Sequence, residues 1–320
     1  MRKPRHREID LSGLKTYPIS RLDRKVNREA FAHPTSAGVS FADWVQSLPD
    51  ILAAGELRTL AETVARAAAD GGAVIAMFGG HIIKTGLAPL LIDWMERGVV
   101  TALATHGAGV IHDVEIALFG RTSEDVAEGL ADGSFGMCRD TADFINRAVA
   151  DPRNRELGFG EAVGAALAEA EAPHSGLSVL CAAHRTGVPL TVHVALGADI
   201  IHQHPSADGA AIGRASLRDF RIFAHQVGRL EDGAVVMNLG SAVIMPEVFL
   251  KALTMARNAG RPAHRFTAVN FDMQLHYRPA RNVLERPTIT GGRWFNFVGH
   301  HEILLPLLHA LVNEKIEAQG

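Results

Sequence analysis

The chain has 320 residues, of which 47% are hydrophobic and 21% are charged, a composition that excludes disordered and collagen-like proteins. A formal net charge of −3 and the lack of a bilayer-length apolar run give no basis for binding nucleic acid or a membrane. Its two cysteines, Cys138 and Cys181, form neither a CxxC motif nor a disulfide framework, which is typical of a protein of the reducing cytoplasm.

Residues 1–38 are polar and contain three prolines, so they are predicted to form an arm on the surface, followed by a single α/β domain over residues 39–320. Apolar periodicity predicts helices over residues 41–52, 56–69, 87–97, 139–150, 160–171, 177–185, 214–227, 247–259 and 303–317, with shorter ones after residues 109 and 123. Short apolar runs predict strands over residues 73–78, 99–104, 190–194, 199–202, 234–239 and 266–271.

Strands that are apolar throughout and alternate with helices are typical of a parallel sheet with helices on both faces. The predicted fold is therefore an open, Rossmann-like α/β sheet, with extra helices inserted within residues 120–176. Ligands of such sheets bind where strand carboxyl ends meet helix N-termini. The stretch from Thr105 through Gly107, Ala108 and Gly109 has this form. It lacks the third glycine of the G-x-G-x-x-G fingerprint, so dinucleotide binding and a turn without a ligand both stay open.

Histidines follow several of the predicted strands, and they are His81, His106, His112, His193, His202 and His204. Because the carboxyl ends of parallel strands share one edge, these side chains are expected to converge there. With Asp113 and Asp199 they offer ligands that zinc, manganese, iron or nickel accept. The predicted metal set is His106, His112, His193, His202 and His204. The alternative is that each histidine is an ordinary structural or surface residue.

The order of the segments resembles the deoxyhypusine synthase family over residues 10–310. Residues 11–18 resemble the opening of bacterial members, 104–118 the family's TTAGG-VEED turn and helix, 188–201 its strand and loop, 235–245 its IILGGGVVK turn, and 269–270 its YINT step. The resemblance implies a homo-oligomer, a dimer or tetramer, and bound NAD. The residues expected to hold NAD are Gly80, His81, Thr105, Gly107, Ala108, Gly109, Asn270 and Asp272.

The sequence departs from the family where the family's chemistry lies. The catalytic lysine of its SWGK motif aligns with Arg293, and a guanidinium stays protonated and cannot form the imine intermediate. The acidic DGSDSGA loop becomes residues 276–282, which include Arg278 and Arg281. Arginines repel a polycation and suit carboxylates or phosphates. Transfer of an aminobutyl group from spermidine is therefore not expected, and an anionic small molecule is.

Three hypotheses follow. The first is an enzyme of this fold that acts on a small molecule with NAD, with Arg293 as a substrate clamp. Its catalytic residues would be His106, His112, Asp113, Asp199 and Arg293. The second is a metal-dependent hydrolase or lyase that uses the same histidines and aspartates with a divalent metal. The third is a non-catalytic paralogue that binds a metabolite or a partner chain.

Overall fold

The computed structural model describes residues 5–318, and the chain divides into two compact units between Gly55 and Glu56. The first unit contains the helix α1 (Phe41–Ser47), whose first turn is capped by the Ser40 hydroxyl, which accepts a hydrogen bond from the Asp43 N–H. The predicted boundary between residues 38 and 39 stays a prediction.

Within the described part of the second unit, six strands form one all-parallel sheet in the order β3-β2-β1-β4-β5-β6. The strands are β1 (Val74–Phe78), β2 (Ala102–Thr105), β3 (Leu190–Val192), β4 (Val235–Leu239), β5 (Thr267–Asp272) and β6 (Arg293–Val298). All residues of the first five strands are buried, as their apolar runs predict. The predicted α/β, Rossmann-like fold class is confirmed.

Helices connect the strands and cover the sheet. They are α2 (Leu52–Ala69), α3 (Gly80–Lys84), α4 (Ala88–Glu96), α5 (Gly107–Phe119), α6 (Val126–Asp132), α7 (Arg139–Ala150), α8 (Phe159–Glu169), α9 (Val179–Thr186), α10 (Gly209–Val227), α11 (Ile244–Asn258), α12 (Arg286–Thr288) and α13 (His301–Glu317). One core packs Met77 of β1 against Phe223 of α10 and Phe249 of α11. No helix in residues 5–318 combines the length and the apolar character needed to cross a membrane.

Two segments differ from their predicted structure. Residues 199–202, predicted as extended, form the 3-10 turn Ile200–Gln203, in which the His202 N–H donates to the Asp199 carbonyl. The segment that aligns with the family's acidic loop instead contains the π-helix Pro279–Glu285 and is followed by β6. Strand β6 lies at the edge of the sheet, where half of its residues are exposed, whereas the other five strands are buried throughout.

The strand order places a topological switch point between β1 and β4, because the chain winds outward from β1 in one direction and from β4 in the other. In doubly wound sheets this is where ligands bind, at the carboxyl ends of the two strands. The switch point is therefore one strand away from the β2–α5 turn, where the sequence pattern predicts ligand binding.

Candidate functional site

Two glycines bring the strand ends together at the switch point. The Gly79 N–H, just after β1, donates to the Leu239 carbonyl of β4 at 3.0 Å. A Cβ on Gly79 would lie 2.4 Å from the Gly240 carbonyl oxygen, which is fixed backbone, so a side chain is excluded there. Gly240 has a φ of +67°, which favours glycine. Gly80 was predicted as a site residue, whereas Gly79 and Gly240 were not, although both directly follow predicted strands.

A row of asparagine side chains crosses the sheet beside the switch point. Asn238, Asn270 and Asn296 lie at matching register in β4, β5 and β6. The Asn238 Nδ2 donates to the Asn270 Oδ1 at 2.7 Å, and the Asn270 Nδ2 donates to the Asn296 Oδ1 at 2.9 Å. Asn238 also donates to the Ser241 carbonyl, so its Oδ1 is left buried with no hydrogen-bond partner in residues 5–318.

Asp272 adds a second unmatched acceptor on the same face. It lies two residues after Asn270 in β5, and successive alternate residues of a strand share a face. Its Oδ1 accepts from the Met273 N–H at 2.8 Å, whereas its Oδ2 is buried and has no partner among the described residues. Two buried oxygens that lack donors suit a ligand that carries hydroxyl or ammonium groups. Asn270 and Asp272 were predicted as site residues; Asn238 and Asn296 were missed.

Histidines from the starts of two helices lie at the carboxyl edge of the sheet, one after β1 and the other against β5. The rings of His81, in α3, and His301, in α13, have centroids 5.8 Å apart. His301 is fully buried, and its Nε2 lies 3.2 Å from the Phe271 carbonyl oxygen, to which it donates. Burial lowers the pKa of His81, and the nearby His301 and Lys84 lower it further. His81 is therefore a neutral imidazole near pH 7.

The β2–α5 turn brings its predicted residues together around an internal carboxylate. The Ala108 backbone N–H lowers the pKa of Asp199, and a Cβ on Gly107 would lie 2.0 Å from the Asp199 Oδ2, which is buried and has no hydrogen-bond partner among the described residues. The Thr105 hydroxyl donates to the Phe78 carbonyl at 2.9 Å, and a Cβ on Gly109 would meet that hydroxyl at 2.2 Å. These glycines make room for the chain's own side chains. Burial raises the pKa of Asp199 to about 6.

Asp113 occupies a structural position at the start of α9, and its predicted catalytic role stays a prediction. Its carboxylate is completely buried and accepts hydrogen bonds from the Ser178 hydroxyl at 2.5 Å, the Val179 N–H at 2.8 Å and the Leu180 N–H at 3.1 Å. It thus binds the first N–H groups of α9, where a carboxylate is favoured. Burial raises its pKa to about 6. The carboxylate is thus enclosed by the residues whose N–H and O–H groups it accepts from.

His106 and His112 flank the first turns of α5 and are both half-buried. Burial lowers the pKa of each. His112 lowers the pKa of His106 further, whereas Glu115 raises that of His112 and Lys84 and His81 lower it. The pKa of His112, in α5, therefore depends in part on the charges of His81 and Lys84 in α3.

The predicted metal set is not assembled. In the described residues, no three His, Cys, Asp or Glu side chains are placed to hold a metal ion. The His193 Nε2 lies 3.1 Å from the Thr191 hydroxyl, and burial lowers the pKa of His193 to about 3. The His204 Nε2 lies 2.8 Å from the Gly136 carbonyl, and the His202 Nδ1 accepts from the Gly197 N–H. Each ring is thus held by its own neighbours, and His202 and His204 do not share the face of an extended segment.

Arg293 lies at the wrong edge for the predicted substrate clamp. It is the first residue of β6 and pairs with Thr267, the first residue of β5, so it lies at the amino edge of the sheet. Six residues of parallel strand separate it by about 17 Å from the carboxyl edge where the histidines lie. Its alignment with the family's catalytic lysine therefore has no counterpart in the site.

A buried carboxyl that the sequence did not single out, Asp219 of α10, binds the edge strand. Its Oδ2 accepts from the Val192 N–H of β3 at 2.7 Å and from the Gly160 N–H of α8 at 3.0 Å. Burial raises its pKa to about 7, although these N–H groups oppose the rise. The carboxyl thus joins α8, α10 and β3 at the edge of the sheet.

The raised pKa of Asp219 predicts how stability depends on pH. The unfolded chain binds a proton at this carboxyl only near pH 4, whereas the folded chain binds one near pH 7. Between these values the folded state holds more protons, so its stability increases as the pH falls from 7 to 4. Relative to Asp219→Asn, wild type should gain up to about 1.4 kcal/mol per pH unit in this window, measured by urea unfolding. A difference that is constant with pH would contradict this expectation.

No family model and no curated protein matches the sequence. Among crystal structures, a protein of Methanococcus maripaludis S2 assigned as LOR/SDH has a TM-score of 0.54 at 14% identity, covering 94% of this chain and 75% of that chain. The complex of AgrE with ornithine and NAD+ has a TM-score of 0.54 at 15% identity, covering 82% of this chain and 34% of AgrE.

A protein of Entamoeba histolytica assigned as a deoxyhypusine synthase has a TM-score of 0.52 at 11% identity, covering 88% of this chain and 96% of that chain. At such low identities the likeness establishes the fold alone. This chain spans about a third of AgrE and most of the other two proteins. The predicted resemblance is therefore confirmed for the fold: the chain is folded like proteins assigned as deoxyhypusine synthase and LOR/SDH.

Proposed function

We propose that the chain is an enzyme that binds NAD at the β1–β4 switch point and acts on a small molecule at the carboxyl edge of the sheet. The observation that carries the proposal is the pair of buried, unmatched acceptors at this point, the Asn238 Oδ1 and the Asp272 Oδ2. The ribose hydroxyls of a dinucleotide are donors, and an acidic residue at a strand end is their usual partner. Gly79 and Gly240 approach each other closely because neither has a side chain. They follow β1 and β4, and β4 and its neighbour β5 carry the two oxygens.

The residues present fit a dinucleotide at one of the two predicted places. At the switch point, Gly79, Gly240, Asn238 and Asp272 would hold NAD, which supplies a hydride acceptor when bound. At the N-terminus of α5 the fit is poorer, because the Asp199 carboxylate already fills the space beside Gly107, and a second anion there would be repelled. AgrE, a protein with a similar fold, was crystallised with NAD+ and ornithine.

The imidazoles of His81, His106 and His112 are the groups proposed for proton transfer. Burial lowers the pKa of all three, so each is neutral and able to accept a proton near pH 7. Lys84 adds a positive charge to this group and would attract an anionic substituent of the substrate. Asp113 and Arg293 have no part in the proposed site. A cytoplasmic location and a homo-oligomeric state remain proposals, the latter testable by light scattering.

Replacing Asp272 by asparagine is expected to weaken NAD+ binding at least about tenfold, because an acceptor for the ribose becomes a donor. Isothermal titration calorimetry with NAD+ measures this directly. The matched control is Asp232→Asn, an exposed residue paired with Arg265, which should bind NAD+ as wild type does. Absence of NAD+ binding by wild type, or equal affinity in Asp272→Asn, would refute the cofactor proposal. Binding without any effect of His112→Gln on turnover would favour the non-catalytic paralogue.

A further inference from the structure

His112 is the first of three side chains connected by short hydrogen bonds. On α5, His112 and Glu115 are three residues apart and therefore lie on neighbouring positions of one helix face. Thr122, in the loop after the helix, lies between them. Its hydroxyl oxygen is 2.6 Å from the His112 Nδ1 and 2.5 Å from the Glu115 Oε2.

The position of one proton in this series of three hydrogen-bonded side chains determines the position of the others. A carboxylate only accepts hydrogen bonds, so the single hydroxyl proton of Thr122 is donated to Glu115. The threonine oxygen can then only accept from the His112 ring, which requires a proton on Nδ1. In the neutral ring the lone pair therefore lies on Nε2. That atom has no hydrogen-bond partner among residues 5–318 and is not enclosed.

The carboxylate at the other end of this series of hydrogen bonds contacts a second hydroxyl. The Thr141 hydroxyl, which is buried, donates to the Glu115 Oε1 at 3.0 Å, so both oxygens of this carboxylate are engaged. A cavity of about 330 Å³, also lined by Cys138, borders Glu115 and Thr122 on this side. The carboxylate can therefore orient Thr122 and, through it, the His112 ring, without contacting the sheet edge itself.

The charges around His112 come from three directions. Lys84 and His81 of α3 disfavour a proton on its ring, and His106 is a further neighbour at the start of α5. Glu115, on its own helix, favours the protonated ring. An imidazole flanked by positive and titratable groups is a weak base unless a carboxylate is coupled to it, and Thr122 provides that coupling.

We propose that Thr122 and Glu115 are positioning residues that hold His112 as the Nδ1–H tautomer with Nε2 as the proton acceptor of the site. In the reaction, Nε2 takes the proton of a substrate O–H or N–H group, and the bonding electrons stay on the substrate. The resulting imidazolium is stabilised by Glu115 through Thr122. This last step rests on the proposed function, whereas the tautomer does not.

The test uses full-length protein labelled with 15N-histidine, without NAD or substrate, and long-range 1H–15N correlation spectra. The His112 signals are assigned by their loss in His112→Gln. In wild type, Nδ1 should carry the proton and Nε2 should not. In Thr122→Val the ring should shift to the Nε2–H tautomer or a mixture, and its pKa should fall by at least roughly half a unit. Thr122→Ser, which retains the hydroxyl, should restore both properties.

Glu115→Gln supplies an independent variant, in which the pKa of His112 should also fall because the carboxylate charge is lost. An Nε2–H tautomer in wild type would overturn the proposal, as would spectra that Thr122→Val and Glu115→Gln leave unchanged. Because these spectra need no cofactor, failure of NAD+ binding would refute the proposed function and leave this result intact. If NAD+ binds but the spectra contradict the expected tautomer, the proposed positioning of His112 is refuted and the proposed function is not.

Discussion

Replacing Asp113 by alanine is expected to lower the free energy of unfolding by about 3 kcal/mol. The substitution leaves the Val179 and Leu180 N–H groups at the start of α9 without an acceptor, in a place that no water can reach from outside. It also opens a void where a fully buried carboxyl stood. Urea unfolding at pH 7 measures the change.

The control for this variant is Asp125→Ala. Asp125 likewise accepts from two N–H groups, those of Ala127 and Glu128 at the start of α6, but it is exposed. Loss of an exposed cap costs about 1 kcal/mol, because water replaces the acceptor. If Asp113→Ala cost no more than Asp125→Ala and instead abolished turnover, the predicted catalytic role of Asp113 would be supported.

The second large effect is expected at Gly160, in the first turn of α8. A Cβ on this residue would lie 2.0 Å from the Leu190 carbonyl oxygen of β3, and backbone cannot swing aside as a side chain does. Gly160→Ala therefore forces α8 away from the edge strand and strains the hydrogen bond from the Gly160 N–H to Asp219. We expect a loss of about 3 kcal/mol in the free energy of unfolding.

Gly213 in α10 provides a matched control of opposite sign. It is an exposed glycine within a helix, and a Cβ there would meet no atom within 4 Å. Gly213→Ala should therefore stabilise the protein by about 0.5–1 kcal/mol, since alanine loses less backbone entropy on folding. Thermal and urea unfolding of both variants test the pair. Equal shifts in the same direction would show that the α8–β3 contact is not tight.

Most of the fold was predictable, because five of the six strands are short apolar runs between helical patterns. Strand β6 was not predicted, although residues 294–298 are as apolar as β4, because the run follows directly on an arginine-rich segment that does not indicate a strand. The order of the strands in the sheet could not be predicted from local sequence patterns either. Nothing around Gly79 or Gly240 in the sequence says that β1 and β4 are neighbours, and that adjacency is what makes the switch point.

The site residues divide in the same way. Asn270 and Asp272 were predicted as site residues from the resemblance to the deoxyhypusine synthase family. His112 and Asp113 looked equivalent in the sequence, yet successive residues of a helix point about 100° apart, so they cannot both face the same crevice. The structure turns Asp113 into the interior and leaves His112 half-buried beside α3. Which of the two faces outward depends on packing that periodicity alone does not specify.

The row of hydrogen-bonded asparagines specifies the register of the strands that carry it. Strands that are apolar on both faces carry little information about register, because sliding one residue along exchanges one apolar contact for another. A slip of β5 by one residue would separate Asn270 from both Asn238 and Asn296 and bury amide groups without partners. Each unmatched group costs about 1–3 kcal/mol, so the row penalises every misaligned pairing of these three strands. The amide hydrogen bonds thus specify the register of β4, β5 and β6 in a sheet whose strands are otherwise apolar.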